Sequence, residues 1–285
     1  SVIQFSYLLH LVLISASLSE FHAYPLTVLF SSLLIWFSYR KSNALFYFSL
    51  LLLLLVQENA SIPAFFFGLY LVLDKNNRAR GLITSAVSLI YLLVSTKLII
   101  PMFSPTGAYL FETAYGSPLG GSYLEMIKNT LLHPQLFITT IFSATNLVYL
   151  GKIILPILPF ALFAPSALLA GILTLTPNLI SSASILKALA MHYEAVSVPY
   201  LYYALILGIL FTIKHVKIKK EILVVAISLI IVIAITIQYK LITSARFSPT
   251  CVWSCRFYTP LDIEKDAAIA AVPPEVSVST QDYLS

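Results

Sequence analysis

An all-α, polytopic membrane bundle is the fold class this sequence predicts, and three observations predict it. Of 285 residues, 59% are hydrophobic and only 10% charged, and the mean hydropathy is +0.91, far from the usage of water-soluble domains. The apolar residues gather into runs close to the length that crosses a hydrocarbon core about 30 Å thick. Between those runs, basic and acidic residues segregate to alternate turns.

Taken in order, the apolar runs fall at roughly 2–19, 25–39, 44–56, 61–73, 82–103, 137–150, 153–173, 196–213 and 221–242. They predict about nine transmembrane helices. The second to fourth are shorter than the roughly 20 residues a perpendicular helix needs, so they borrow flanking residues or one pair is re-entrant. Within the seventh, Leu155-Pro-Ile-Leu-Pro-Phe-Ala-Leu-Phe-Ala-Pro165 predicts a broken helix, because each proline removes a backbone donor and crowds the preceding turn. The first run has no initiator Met, basic n-region or small-residue cleavage site, so the sequence reads as a portion of a longer protein.

Charge sets the expected orientation. If the chain alternates sides, one side receives Arg40, Lys41, Lys75, Arg78, Arg80, Lys152, Lys214, Lys217, Lys219 and Lys220, ten of the 17 Lys and Arg. The positive-inside rule makes that side cytoplasmic, in a plasma membrane with the C-terminal tail extracytoplasmic. The other side receives Glu20, Glu58, Glu112, Glu125, Glu194 and the five acids of the tail, ten of the 12 acids. The net charge of +5 therefore reflects topology. No basic stripe interleaved with aromatics is present, so nucleic acid is not an expected partner, whereas membrane lipid is.

Short polar interruptions on the outward side carry the candidate site. Glu20 and His22 end the first run, Gln57-Glu58-Asn59 joins the third to the fourth, and His192-Tyr193-Glu194 precedes the eighth. Ionisable groups at a membrane boundary are costly against lipid, so they are expected to face one another in a shared cleft; the alternative is that each is a solvated loop residue at headgroup level. Carboxylates with imidazoles suit general-base work, or a divalent cation such as Mg²⁺ or Mn²⁺ with Glu20 and His22 as ligands. No H-E-x-x-H, G-x-S-x-G, P-loop or G-x-G-x-x-G pattern occurs, which argues against the common hydrolase and nucleotide-binding classes.

The outer loop 104–136 is the longest insertion between runs. Its second half, Tyr123-Leu-Glu-Met-Ile-Lys-Asn-Thr-Leu-Leu-His133, predicts an amphipathic helix along the membrane surface, either a lid over the cleft or a passive interfacial helix. Lys97, near the outer end of the fifth run, snorkels to the interface or binds a lipid phosphate. These elements make up a transmembrane domain, 1–242. From 243 to 285 the character changes. Cys251 and Cys255 predict a local disulfide on the oxidising side. A short helix at 260–272 and the alternating Glu275-Val-Ser-Val-Ser-Thr280 predict the start of an outward α/β soluble domain.

The ordered set Glu20-Phe-His-Ala-Tyr-Pro25, Gln57-Glu58-Asn59, Gly68, Lys97-Leu-Ile-Ile-Pro101, Pro177-Asn-Leu-Ile-Ser-Ser182, His192-Tyr193 and Pro199 resembles the prokaryotic membrane family known as domain of unknown function 2079. The resemblance runs from near the first residue to the tail. Where the family more often reads Phe-His-Pro-Glu, this chain has Ala23-Tyr24, so position 24 carries no carboxylate, while Glu58 is intact. That family is grouped with the type C (GT-C) glycosyltransferases. The resemblance thus implies a GT-C-like bundle that transfers a polyprenyl-phosphate-linked sugar on the extracytoplasmic face. With that implication, the outward polar cluster supplies the expected catalytic residues, Glu58, His22 and Glu20, and Lys97, His192, Tyr193 and Glu194 are the expected substrate-binding residues, with Glu58, Lys97 and Tyr193 in supporting roles. The main catalytic acid of such enzymes lies in a first outer loop that would precede Ser1. Two other classes compete: a transporter, whose ionisable groups sit nearer mid-bilayer with broken helices, and a non-catalytic subunit of a larger membrane complex.

Overall fold

The computed structural model describes residues 2–18, 23–104, 107, 109, 116–187, 189 and 192–243, and among them every regular element is helical, with no strand. The chain divides into two units, Ser1–Leu241 and Ile242–Ser285. Residues 244–285 lie outside the described set, and with them the expected tail helix and strand and the Cys251 and Cys255 pairing. The predicted start of an α/β domain therefore has no support.

The described helices are α1 Val2–Leu8, α2 Leu11–Leu18, α3 Tyr24–Tyr39, α4 Asn43–Val56 and α5 Ser61–Val72. After them come α6 Arg78–Phe103, which includes a π turn at Ser95–Ile99, α7 Tyr123–Leu132 and α8 Pro134–Ile141. The remainder are α9 Ala144–Ile154, α10 Leu158–Ala161, α11 Pro165–Leu173, α12 Thr176–Ile180, α13 Val198–His215 and α14 Lys220–Thr243.

Nine full-length spans are not what forms. By length and composition three helices among the described residues are able to cross a membrane, Arg78–Phe103, Ala195–His215 and Glu221–Leu241; α8 and α9, bent by 53°, supply a fourth if they count as one span. The early apolar runs become helices of 7, 8, 16, 14 and 12 residues instead. Hydropathy averaged over a run does not register the features that end a helix. His10 separates α1 from α2, and Gln57 is fully extended at the end of α4. The turn after α3 places Lys41 at φ 54°, with the Ser42 amide donating to the Phe37 carbonyl at 3.1 Å. That geometry closes a helix C-terminus.

Two close helix contacts organise the unit. A Cβ on Gly68 of α5 would run into the Ser85 side chain and lie 2.9 Å from the Gly81 carbonyl, and one on Gly81 of α6 would lie 2.6 Å from the Gly68 carbonyl. Small residues let two backbones meet where no hydrophobic force distinguishes helix from lipid, and Ser85 adds a hydrogen bond to the Phe65 carbonyl at 3.0 Å. Gly208 of α13 presses in the same way on the Phe160 carbonyl of α10.

The expected proline break is present, and its freed backbone is capped. Pro156 cannot donate to Lys152, and the Ile157 amide bonds Ile154 rather than Ile153, so both carbonyls lose their helical partners. Gln238 of α14 donates to Lys152 O at 2.8 Å, and His10 Nε2 meets Ile153 O at 3.2 Å. Gln238 and His10 are 0% and 1% exposed. Unsatisfied backbone in hydrocarbon costs several kcal/mol per group, which accounts for two polar side chains in so apolar a setting.

Candidate functional site

At one end of the bundle three helices begin close together: α3 at Tyr24-Pro25, α5 after the turn Glu58–Ala60, and α13 after the turn Ala195–Ser197. Pro25, Pro63 and Pro199 fall near those starts, where a missing N–H costs nothing. Apolar contacts fix the meeting point, with Ala60, Ala64, Phe67, Val196 and Tyr200 in one buried cluster. Acids next to helix N-termini are favoured by the macrodipole; Glu58 precedes α5 and Glu194 precedes α13.

The polar side chains here touch one another. The Tyr109 hydroxyl lies 3.0 Å from Glu58 Oε1 and 2.9 Å from Asn59 Oδ1, its single proton shared between two acceptors. Asn59 is also hydrogen-bonded with the Tyr24 hydroxyl. Tyr24 and His192 rings stand 4.4 Å apart, and His192 and Tyr193 4.7 Å. Deeper, Asn178 Nδ2 donates to the Tyr149 hydroxyl at 2.8 Å, and that hydroxyl donates to Glu194 Oε1 at 3.2 Å. Glu194 is 1% exposed, and its Oε2 has no hydrogen-bond partner among the described residues. Burial pushes its carboxyl up to about 8, against weaker lowering by its own backbone and by Tyr149. At neutral pH Glu194 is therefore largely protonated and able to donate. Glu58 is only half-buried.

The described parts of the loop 104–136 fold over this end. Ser122 caps α7 by accepting from the Glu125 amide at 3.3 Å, while Glu125 Oε2 accepts from the Gly121 amide at 2.9 Å, a reciprocal capping arrangement. Met126 of α7 is buried with Tyr109, Leu119 and Ile180, and Tyr193 packs against the same cluster. Ile127, Leu131 and Leu132 are 50%, 76% and 61% exposed, which leaves an apolar face outward.

Of the residues singled out from sequence, Glu58, His192, Tyr193 and Glu194 come together. Lys97 is exposed on the π turn of α6, one turn before Ile100, which packs against the Tyr109 cluster. The π turn follows from Pro101, which has no N–H for Lys97; the Ile100 amide reaches back to Ser95 instead. Glu20 and His22 lie outside the described residues. Among the described residues no group of three His, Cys, Asp or Glu is placed to hold a metal ion. Sequence reasoning passed over Tyr109, Tyr149, His10 and Gln238. His10 and Gln238 carried a usable signal, a polar side chain inside an apolar run; Tyr149 and Tyr109 carried none.

A helical membrane protein with a polar, aromatic-walled site where several helices begin is the class these features define. The chain belongs to the family of predicted membrane proteins designated DUF2079, whose sequence pattern matches residues 1–285. No curated protein and no solved structure matches it.

Proposed function

We infer that this protein is a membrane glycosyltransferase of the GT-C type, acting at the extracytoplasmic face of the plasma membrane on a polyprenyl-phosphate-linked sugar. The observation that carries this reading is the convergence of Glu58, Tyr109, Tyr24, His192, Tyr193 and Glu194 at one end of the helices. In the reaction, the bond between the anomeric carbon and the phosphate oxygen breaks, and the lipid phosphate leaves with the bonding electrons. An acceptor hydroxyl oxygen bonds the same carbon, and its proton passes to Glu58, the half-buried carboxylate that Tyr109 orients. The Tyr24, His192 and Tyr193 rings wall the sugar, and protonated Glu194 offers a hydrogen bond to one of its hydroxyls. Lys97 attracts the departing phosphate, as do the positive ends of α3, α5 and α13. A Mg²⁺ or Mn²⁺ ion would need Glu20 and His22 as ligands, and no step above depends on it.

The test is binding of a polyprenyl phosphate and its sugar conjugate to the purified protein, with and without Mn²⁺, in the native chain and in Glu58→Gln and His22→Ala. Saturable binding by the native chain, with sugar transfer to an acceptor lost in Glu58→Gln, supports the reading, and loss of only the Mn²⁺-dependent part of binding in His22→Ala supports the metal ligands. Absence of binding by folded protein removes it.

A transporter is the second reading, favoured by the broken α9–α10 segment with His10 and Gln238 buried beside it, since discontinuous helices with polar partners line many transport sites.

A further inference from the structure

Beside the candidate site, α1, α3 and α13 enclose a side-facing groove of about 650 Å³ that runs from Pro199, near the start of α13, to Trp36 of α3. Its walls include Phe5, Leu8, Ile35, Trp36, Tyr203 and Ile206. Phe5 and Leu8 are 67% and 66% exposed, so in a membrane the groove opens onto lipid. Tyr202 closes the back, its hydroxyl donating to the Ser6 carbonyl at 2.7 Å, and Tyr7 joins Ser32 at 3.1 Å. The walls are therefore braced by hydrogen bonds between helices.

The groove lies toward the end of α3 opposite Tyr24: Trp36 is 12 residues on, about 18 Å at 1.5 Å per residue. One turn further, the Arg40 guanidinium rests over the Trp36 ring at 5.8 Å. Arg40 itself is exposed, so its donors are open to an anion. Around it the turns 39–43 and 73–80 carry Arg40, Lys41, Lys75, Arg78 and Arg80 against one acid, Asp74. Those turns abut, because Arg80 donates to the Ser38 carbonyl at 3.1 Å and to Asn43 Oδ1 at 2.5 Å. Asp74 is already held by the Asn76 amide and the Asn77 side chain at 3.0 and 2.6 Å, which leaves the positive side chains in excess.

We propose that this groove is a binding site for an anionic phospholipid, with one acyl chain in the groove and the headgroup phosphate on Arg40. Leaving one hydrocarbon surrounding for another gives a chain no net hydrophobic gain. Selectivity therefore comes from the charge at the mouth, and basic pockets beside membrane helices recognise anionic headgroups. A neutral phospholipid fills the groove without preference.

Trp36 reports occupancy directly. In Trp253→Phe protein, Trp36 is the one indole of these residues, since the sequence has two Trp. The experiment reconstitutes this protein in mixed vesicles of phosphatidylglycerol and phosphatidylcholine, one lipid at a time carrying brominated chains, and reads quenching of Trp36. Brominated phosphatidylglycerol is expected to quench at several-fold lower content than brominated phosphatidylcholine. Arg40→Gln should reduce that preference about fivefold, the worth of one basic side chain near an anionic surface. Ile206→Phe, which fills the groove, should weaken quenching by both lipids. Equal quenching by the two headgroups overturns the proposal, as does a preference that survives Arg40→Gln. Brominated polyprenyl phosphate quenching Trp36 in place of phosphatidylglycerol would assign the groove to another lipid and overturns it too.

Discussion

Replacing Glu194 with Gln should change how the stability of this protein depends on pH. Burial holds the Glu194 carboxyl at about 8 against an ordinary 4.5. Its folded value lies above its unfolded value, so the contribution of the native residue is fully present below pH 4.5. It is lost progressively up to pH 8 and constant above that. At about 1.4 kcal/mol per pH unit, the window is worth about 5 kcal/mol at most. For a chain of this size that corresponds to a fall of about 10 °C or more in thermal midpoint. The assay is thermal unfolding in detergent from pH 4.5 to 9, for native protein and Glu194→Gln in parallel. Subtracting the two curves cancels every other titrating group. Relative to the variant, the native protein should lose stability as pH rises through the window. Parallel curves, or a native protein that gains on the variant with rising pH, would refute a carboxyl held neutral by burial.

Three further outcomes follow from the packing. Gly208→Ala drives a methyl into the Phe160 carbonyl and should cost about 1–3 kcal/mol, read as a lower thermal midpoint; an unchanged midpoint would mean that α13 and α10 do not meet this closely. Gly81→Val should separate α5 from α6 by a comparable amount, and disulfide trapping between cysteines placed on the two helices would report the change. Gln238→Leu should cost about 1 kcal/mol. Combined with His10→Leu it should cost less than the sum, because the two side chains stand 3.4 Å apart over the same broken helix.

Much of the site was legible because polarity at a membrane boundary is rare. Gln57-Glu58-Asn59 and His192-Tyr193-Glu194 stand out from apolar flanks, and both meet where α5 and α13 begin. The proline break was equally legible, since Pro156 and Pro159 cannot continue a ladder. Span count was not. Hydropathy registers Leu, Phe and Ile but not where a helix stops, so a run such as 2–19 was read through His10, where α1 ends and α2 begins. Tyr149 escaped for a different reason. Inside an apolar run, a tyrosine becomes meaningful only when a carboxylate from a distant segment arrives beside it. Sequence spacing does not state that Glu194 does so, 45 positions after Tyr149.

The capped break between α9 and α10 also bears on the order in which the chain can assemble. Its two stray carbonyls wait on partners from opposite ends: His10 lies 143 positions before Ile153, and Gln238 lies 86 positions after Lys152. While the chain is being inserted, the broken segment enters the bilayer long before Gln238 has been synthesised. Until then its exposed backbone favours a watery or protein-lined surrounding over lipid. α14 thus acts as a clasp on the broken segment, which is satisfied only when that helix arrives.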